Sequence, residues 1–323
     1  MTVRFGRLAA GLAALILAGG TLLAAGCGDD DGSGGASDGP GGGAELVLAD
    51  KGFAESAIVA QLYAVALEDQ GFETEVTSLG STEIADGAIR NGEIDLYPEY
   101  TGTAFLNVLG RDGASAPAGA EAVFEEVKAA YAPRGLTALP PSPYNNGNEV
   151  ACTTDAAEEY GLETLSDLGE ASGNLVYSAN AEHLTRDDGL PLLRREYGID
   201  FREVKTVDIS LRYRPIEDGD AQCVYAFGTD PKLATLDLVV LEDDKGAYSA
   251  GVPFQNFPVV NTARLEGLPE EAGAALTDTL AEVDALLTEG EIRRLIARVE
   301  FDQDDPRDVA EDFLVAQEVV ASS

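Results

Sequence analysis

The chain has 323 residues and a formal net charge of -37, from 58 acidic against 21 basic residues, with 45% hydrophobic and 7% aromatic residues and no Trp. A surface this acidic repels nucleic acid and anionic membrane, so neither is expected as a partner of the folded body, and it concentrates cations around it. His183 is the only histidine and no phosphate-binding glycine motif occurs, so no catalytic residue, metal or cofactor is expected and the chain reads as a binder, not an enzyme.

At the amino terminus Arg4 and Arg7 precede an apolar run from Leu8 to Ala25, followed by Gly26 and Cys27. This resembles a bacterial lipoprotein signal, which implies a leader over residues 1–27 ending at a lipidated Cys27, and a protein held at the outer face of the cell membrane. Residues 28–44 are Gly, Asp and Ser with little else, a flexible linker. The two cysteines that remain, Cys152 and Cys223, form an even pair in an oxidising compartment: either a disulfide or two buried thiols.

The body opens with a buried strand, Glu45 to Ala49, and a loop of Asp50, Lys51, Gly52 and Phe53. Apolar residues at Ile58, Leu62, Val65 and Leu67 keep near-helical period from Glu55 to Gln70, and Gly71 ends that helix. Phe72 to Thr77 alternates as a strand. Ser81 and Thr82 then cap a helix whose stripe is Ile84, Ala88 and Ile89, and Gly92 closes it in the left-handed conformation. A short strand from Ile94 to Tyr97 follows. Pro98 is expected to stop it and to throw Glu99 to Thr103 into a loop at its C-terminal end, where open α/β sheets place ligands. A helix through Leu109, a loop to Gly119, a helix from Glu121 to Tyr131 and a strand over 136–139 lead into Pro140 to Asn148, a crossover between lobes.

Glu149 to Thr153 starts the second lobe. Short helices over 155–160 and 164–168 and a strand from Asn174 to Ser178 precede a cleft-facing loop, Ala179 to Gly189, which carries His183 and Arg186. Leu190 to Tyr197 is helical, and Asp208 is expected to cap a helix that carries Leu211 and Ile216. A strand from Leu236 to Leu241 is followed by Val252 to Pro258, the return crossover. Helices on Leu276 to Leu287, Ile292 to Val299 and Asp308 to Val320 complete the first lobe. The fold class is α/β in two lobes, 45–148 with 256–323 and 149–255, each a mixed sheet flanked by helices, and the two crossover segments serve as the hinge.

One unit occurs twice. The segment from Pro215 lies over the segment from Ala88 without a gap, pairing Ile89 with Ile216, Gly92 with Gly219 and Tyr100 with Phe227. Two helix, glycine, strand, aromatic units suggest two similar lobes that each offer an aromatic to a shared cleft; the alternative is that any two αβ units look alike.

Tyr100, Phe227 and Phe254 fall in cleft-side loops, and Lys51 and Arg186 are rare bases in the same kind of place. Ring faces attract a quaternary ammonium by about 0.5–2 kcal/mol each when desolvated. Lys51 and a bidentate Arg186 suit a carboxylate at the ligand's other end. The alternatives are core positions for Phe227 and Phe254 and ion pairs for the two bases.

The runs Gly80-Ser81-Thr82-Glu83, Gly92 to Thr103, Asp50-Lys51-Gly52-Phe53, Arg186 to Pro191, Leu211-Arg212-Tyr213, Thr229-Asp230 and Leu241 to Lys245 resemble the substrate-binding proteins of osmoprotectant ABC importers, the glycine betaine, carnitine and choline binders. The resemblance covers residues 45 to 320. It implies a type II periplasmic-binding-protein fold that closes on a solute and hands it to a permease and its ATPase. By motif, Tyr100, Phe227, Phe254 and Asn148 are box positions for the trimethylammonium, and Lys51, Thr103 and Arg186 hold the carboxylate. Two box tyrosines are phenylalanine here and Asn148 replaces an aromatic, a gap for Tyr144 or Tyr248 to fill. The implied ligand is glycine betaine or a related betaine, with ergothioneine, another trimethylammonium carboxylate, as the alternative. Lys51 and Arg186 argue against choline. A ligand sensor that signals through the same cleft is the alternative to transport.

Overall fold

The computed structural model describes residues 39–248 and 252–321. The leader, Cys27 and the linker up to residue 38 lie outside the described residues.

Among the described residues ten strands form two five-stranded sheets of the same plan. The first contains β1 (Glu45–Asp50), β2 (Glu73–Ser78), β3 (Leu96–Tyr100), β4 (Leu136–Ala138) and β10 (Asn256–Asn261), in the order β2-β1-β3-β10-β4. The second contains β5 (Asn148–Thr153), β6 (Val176–Ala179), β7 (Glu203–Thr206), β8 (Cys223–Phe227) and β9 (Leu238–Val240), in the order β7-β6-β8-β5-β9. In each sheet four strands run in one direction, and the strand that follows a crossover, β10 or β5, inserts antiparallel between the central strand and the edge strand, β4 or β9. The internal repeat falls on those central strands. Gly92 (φ 73°) and Gly219 (φ 75°) both take the left-handed conformation that a side chain resists, and β3 and β8 follow at equal spacing, ending on Tyr100 and Phe227. Cys152 and Cys223 face each other across β5 and β8 and are joined by a disulfide.

The helix α1 (Ala54–Asp69) is apolar nearly all round, with Ile58, Val59, Leu62, Tyr63 and Val65 buried, because it is enclosed by the first sheet and by the helices Glu270–Leu286 and Pro306–Ala316. These last helices complete the first lobe. The helix α2 (Thr82–Asn91) starts where Ser81 Oγ accepts from the Ile84 N–H and ends at Gly92. Its buried face is Ala85, Ala88 and Ile89; Ile84, expected in the stripe, is 55% exposed.

Several expectations are corrected. Pro98 does not end its strand: β3 runs on to Tyr100, and Pro98 pairs with Pro258 of β10. The Thr101 N–H to Gln255 carbonyl bond fixes the alternation of the antiparallel ladder, which leaves the proline pair at a position where neither residue is asked to donate to the other. Thr101–Thr103 is the first turn of a helix and not a loop, continuing through a π-helical turn, Ala104–Val108. Residues 39–44 are not free linker: the Gly41 N–H donates to the Gln70 carbonyl and the Gly43 N–H to the Gly71 carbonyl, and Gly41 is buried. Asn148 opens β5 and so belongs to the second sheet, and Pro258 lies within β10, beyond the return crossover. Asp208 makes no side-chain cap bond. The strand β7 was not foreseen; it is a polar edge strand without a buried residue.

Candidate solute-binding cleft

The loop after β1 is held rigidly. Asp50 Oδ1 accepts from the Gly52 N–H (2.6 Å) and from Ser78 Oγ (2.8 Å), and the Lys51 N–H donates to Ser56 Oγ (2.9 Å). Gly52 has φ 80°, and a Cβ there would lie 3.0 Å from the Gly80 backbone, so no side chain fits. This turn aims Lys51 and Phe53 between the lobes. A second close approach sits opposite: a Cβ on Gly102 would meet the Phe254 ring at 2.7 Å, so the glycine lets that ring lie flat on the helix after β3.

The two lobes enclose a cavity of about 40 Å³ whose lining includes Lys51, Phe53, Tyr100, Thr103, Asn148, Arg186, Tyr225, Phe227 and Phe254. All seven residues expected at the ligand site border this one space. The rings form a connected wall: Phe53 of the first lobe lies 5.3 Å from Phe227 of the second and 6.2 Å from Tyr100, and Tyr225 meets Phe227 edge-on at 5.1 Å.

The basic residues are not free. Lys51 Nζ donates to Glu99 Oε1 at 2.6 Å, both side chains buried, and stands 4.6 Å from the centroid of the Tyr100 ring. Glu99 also accepts from Tyr97 Oη (3.1 Å) and the Tyr100 N–H (2.7 Å), so its charge is fully met. Arg186 forks onto Asp188 (2.8 and 2.7 Å), with Glu182 at 3.5 Å. Burial pushes the Asp188 carboxyl up, but the Arg186 guanidinium more than offsets this and holds it below its ordinary value. These are ion pairs, as the alternative reading had them, with Lys51 buried and Arg186 half-buried at the cavity wall. Lysine has three N–H bonds and arginine five, so both keep donors beyond those pairs.

Behind the second-lobe rings lies another closed network. Arg212 (2% exposed) is paired with Asp230, Tyr213 Oη donates to Asp230 at 2.6 Å, and the Arg212 guanidinium lies 4.8 Å from the Phe227 ring centroid. Burial, and then the nearby Arg186 cation, hold His183 down at about 3, so it is a neutral ring at neutral pH. It stacks on Tyr225 at 3.9 Å and shares a hydrogen bond with Tyr177 Oη.

Tyr144 and Tyr248 do not fill the gap at Asn148. The Tyr144 hydroxyl is turned to Glu55, and Tyr248 is buried in the second lobe, edge-on to His183. Asn148 instead accepts from Tyr225 Oη at 2.6 Å, and both border the cavity. Phe53 and Tyr225 are thus the wall residues the sequence reading passed over. The signal for Tyr225 was available, two residues before Phe227 on one face of the strand. For Phe53 there was only its place beside Lys51.

The family model described as "Substrate binding domain of ABC-type glycine betaine transport system" matches residues 44–316. A glycine-betaine-binding protein of Pseudomonas aeruginosa is 30% identical over 282 residues, 83% of this chain and 86% of that protein. The ergothioneine transport permease/ergothioneine binding protein EgtU of Helicobacter pylori is 30% identical over 275 residues; the match takes in 83% of this chain but 47% of that longer protein. A crystal structure of a glycine betaine/carnitine/choline ABC transporter protein, 23% identical, superposes with a TM-score of 0.63 over 86% of this chain and 99% of that one. The fold is therefore the two-lobe one of type II periplasmic binding proteins. By its sequence from residue 44 to 316, the chain belongs to the family of substrate-binding domains of ABC-type glycine betaine transport systems.

Proposed function

We propose that this chain captures a trimethylammonium solute that bears a carboxylate, glycine betaine or a related betaine, between its lobes and delivers it to the permease and ATPase of an ABC importer. It works outside the cell membrane, held there by lipid on Cys27. The observation that carries the reading is the grouping of rings from both lobes, Phe53 and Tyr100 from one and Tyr225 and Phe227 from the other, around one cavity bordered by Lys51 and Arg186. A methylated cation has no N–H to satisfy, so ring faces serve it where water cannot, at about 0.5–2 kcal/mol each. The remaining donors of Lys51 and Arg186, with the Thr103 hydroxyl, take the carboxylate. Closure of the lobes about the two crossovers buries the solute and presents one closed shape to the permease.

The test is a thermal-shift screen with glycine betaine, carnitine, choline, proline betaine and ergothioneine. A bound solute at a hundredfold excess over its Kd adds about 2.7 kcal/mol of stability. A melting temperature that rises with none of the five overturns the proposal. A second reading, ergothioneine, is favoured by the relative that bears that name and by phenylalanine at 227 and 254. A larger shift with ergothioneine than with any betaine puts it first.

A further inference from the structure

Glu55, the second residue of α1, is 2% exposed and meets no cation among the described residues; its partners come from three parts of the chain. Its Oε1 accepts from Tyr100 Oη (2.7 Å), Tyr144 Oη (3.0 Å) and Asn146 Nδ2 (3.0 Å), and its Oε2 is hydrogen-bonded to Thr229 Oγ1. Tyr100 belongs to the cleft wall, Tyr144 and Asn146 to the outgoing crossover, and Thr229 to the second lobe.

Counting protons decides the charge of this group. Thr229 Oγ1 is also 2.8 Å from Asn146 Oδ1, so one hydroxyl proton stands between two acceptors. If Glu55 is ionised, one of those two contacts is lone pair against lone pair. Flipping the Asn146 amide does not help, because its oxygen then faces Glu55 Oε1 at 3.0 Å. A proton on Oε2 resolves it: Glu55 donates to Thr229, Thr229 to Asn146 Oδ1, and Asn146 Nδ2 back to Glu55 Oε1. Each of the three contacts in the ring then has one donor and one acceptor.

Resting on the betaine reading for its ligand, we propose that Glu55 is the positioning residue of the site: protonated, it sets the Tyr100 ring and donates to Thr229 across the lobes, so closing the cleft takes up one proton. The group's surroundings agree. Burial raises its proton affinity more than the bonds from Thr229, Tyr100 and Tyr144 lower it, and Asp230 raises it further. The titratable groups facing it are Tyr100, Tyr144 and Asp230, the last already paired with Arg212. When the lobes part, Thr229 leaves with the second one, water reaches Oε2, and the carboxyl ionises.

Two measurements test this. Infrared difference spectra at about pH 8, protein saturated with glycine betaine minus protein alone, are expected to gain a carboxylic-acid C=O band that is absent in Glu55→Gln and kept in Asp284→Asn, a control at another buried carboxyl; no difference between wild type and Glu55→Gln, both with solute bound, overturns the proposal. In calorimetry with glycine betaine at about pH 8, in buffers of different ionisation heat, wild type takes up a proton per ligand, and its affinity falls towards tenfold per pH unit as pH rises. Glu55→Gln carries a permanent N–H at this place and takes up none, with a flat profile. Thr229→Val, which removes the proton's partner from the other lobe, also loses the uptake. Equal uptake in wild type and both variants overturns the proposal. If none of the trimethylammonium compounds binds wild type, the betaine reading fails, and the proposal for Glu55 stands or falls on the same infrared and calorimetric comparison made with the solute the protein does bind.

Discussion

Replacing the buried pair Lys51–Glu99 separates the two roles that the proposed site gives Lys51. Its ammonium sits 4.6 Å from the Tyr100 ring centroid, on a wall a ligand ammonium needs, and it is also one of two bases available to a ligand carboxylate. Lys51→Met alone leaves Glu99 buried and unpaired, at about 3–5 kcal/mol of stability. The double variant Lys51→Met, Glu99→Gln avoids this, since Gln still accepts from the Tyr97 hydroxyl and the Tyr100 N–H. Vacating the ring relieves about 0.5–2 kcal/mol for any quaternary ammonium. Loss of a charge-assisted hydrogen bond costs about 1.5–3 kcal/mol, but only to a ligand with a carboxylate. The ring contribution is common to choline and glycine betaine and cancels in their ratio. We therefore expect the choline-to-betaine affinity ratio to rise roughly 10- to 100-fold, read by calorimetry with both ligands on both proteins. A ratio unchanged in the double variant refutes the assignment of Lys51 to the carboxylate end.

Phe53→Leu keeps most of the volume but removes the ring that joins the lobes' two walls; trimethylammonium affinity should fall by about 0.5–2 kcal/mol while the melting temperature moves little, and unchanged affinity would remove Phe53 from the wall. Cys152 and Cys223 close a loop of 71 residues, so the Cys152→Ala, Cys223→Ala variant should lose about 4 kcal/mol in denaturant unfolding; a loss under about 1 kcal/mol would show that the unfolded chain gains little from the cut. Burial holds the Asp284 carboxyl well above its ordinary value, against bonds from Tyr63 and Asn256. Its folded proton affinity exceeds its unfolded one, so its share of stability is full below the unfolded pKa and is lost as pH rises through the folded one. Asp284→Asn should flatten the fall in stability above the ordinary carboxylate range, and an unaltered pH profile would contradict a proton held there.

The parts of the fold legible in the sequence were those where one residue type has one use. Gly92 and Gly219 marked the same bend twice because only glycine takes that conformation cheaply, and the strands after them followed. Pro98 misled because a proline's missing N–H counts only if a neighbour needs it, and opposite Pro258 none does. The edge strand β7, Glu203–Thr206, has no apolar alternation to betray it. At the cleft, the residues that meet solvent-facing chemistry were picked out, since Lys51 and Arg186 are scarce bases. Their partners Glu99 and Asp188, and the unpaired Glu55, were lost among 58 acids, where spacing along the chain carries no sign of which carboxylates meet.

Two of the four wall rings come with a cation already seated, Lys51 at Tyr100 and Arg212 at Phe227, and each of those cations has its own carboxylate, Glu99 and Asp230. The interior is therefore balanced, although the exterior is strongly anionic. Sodium and potassium gather at such a surface as readily as any organic cation, but inside they meet acids whose charge is already spoken for. On the proposed reading, only a cation content with carbon and ring electrons, its positive charge spread over methyl groups, gains by going further in, so the sorting of salts from solutes rests on what the chamber withholds.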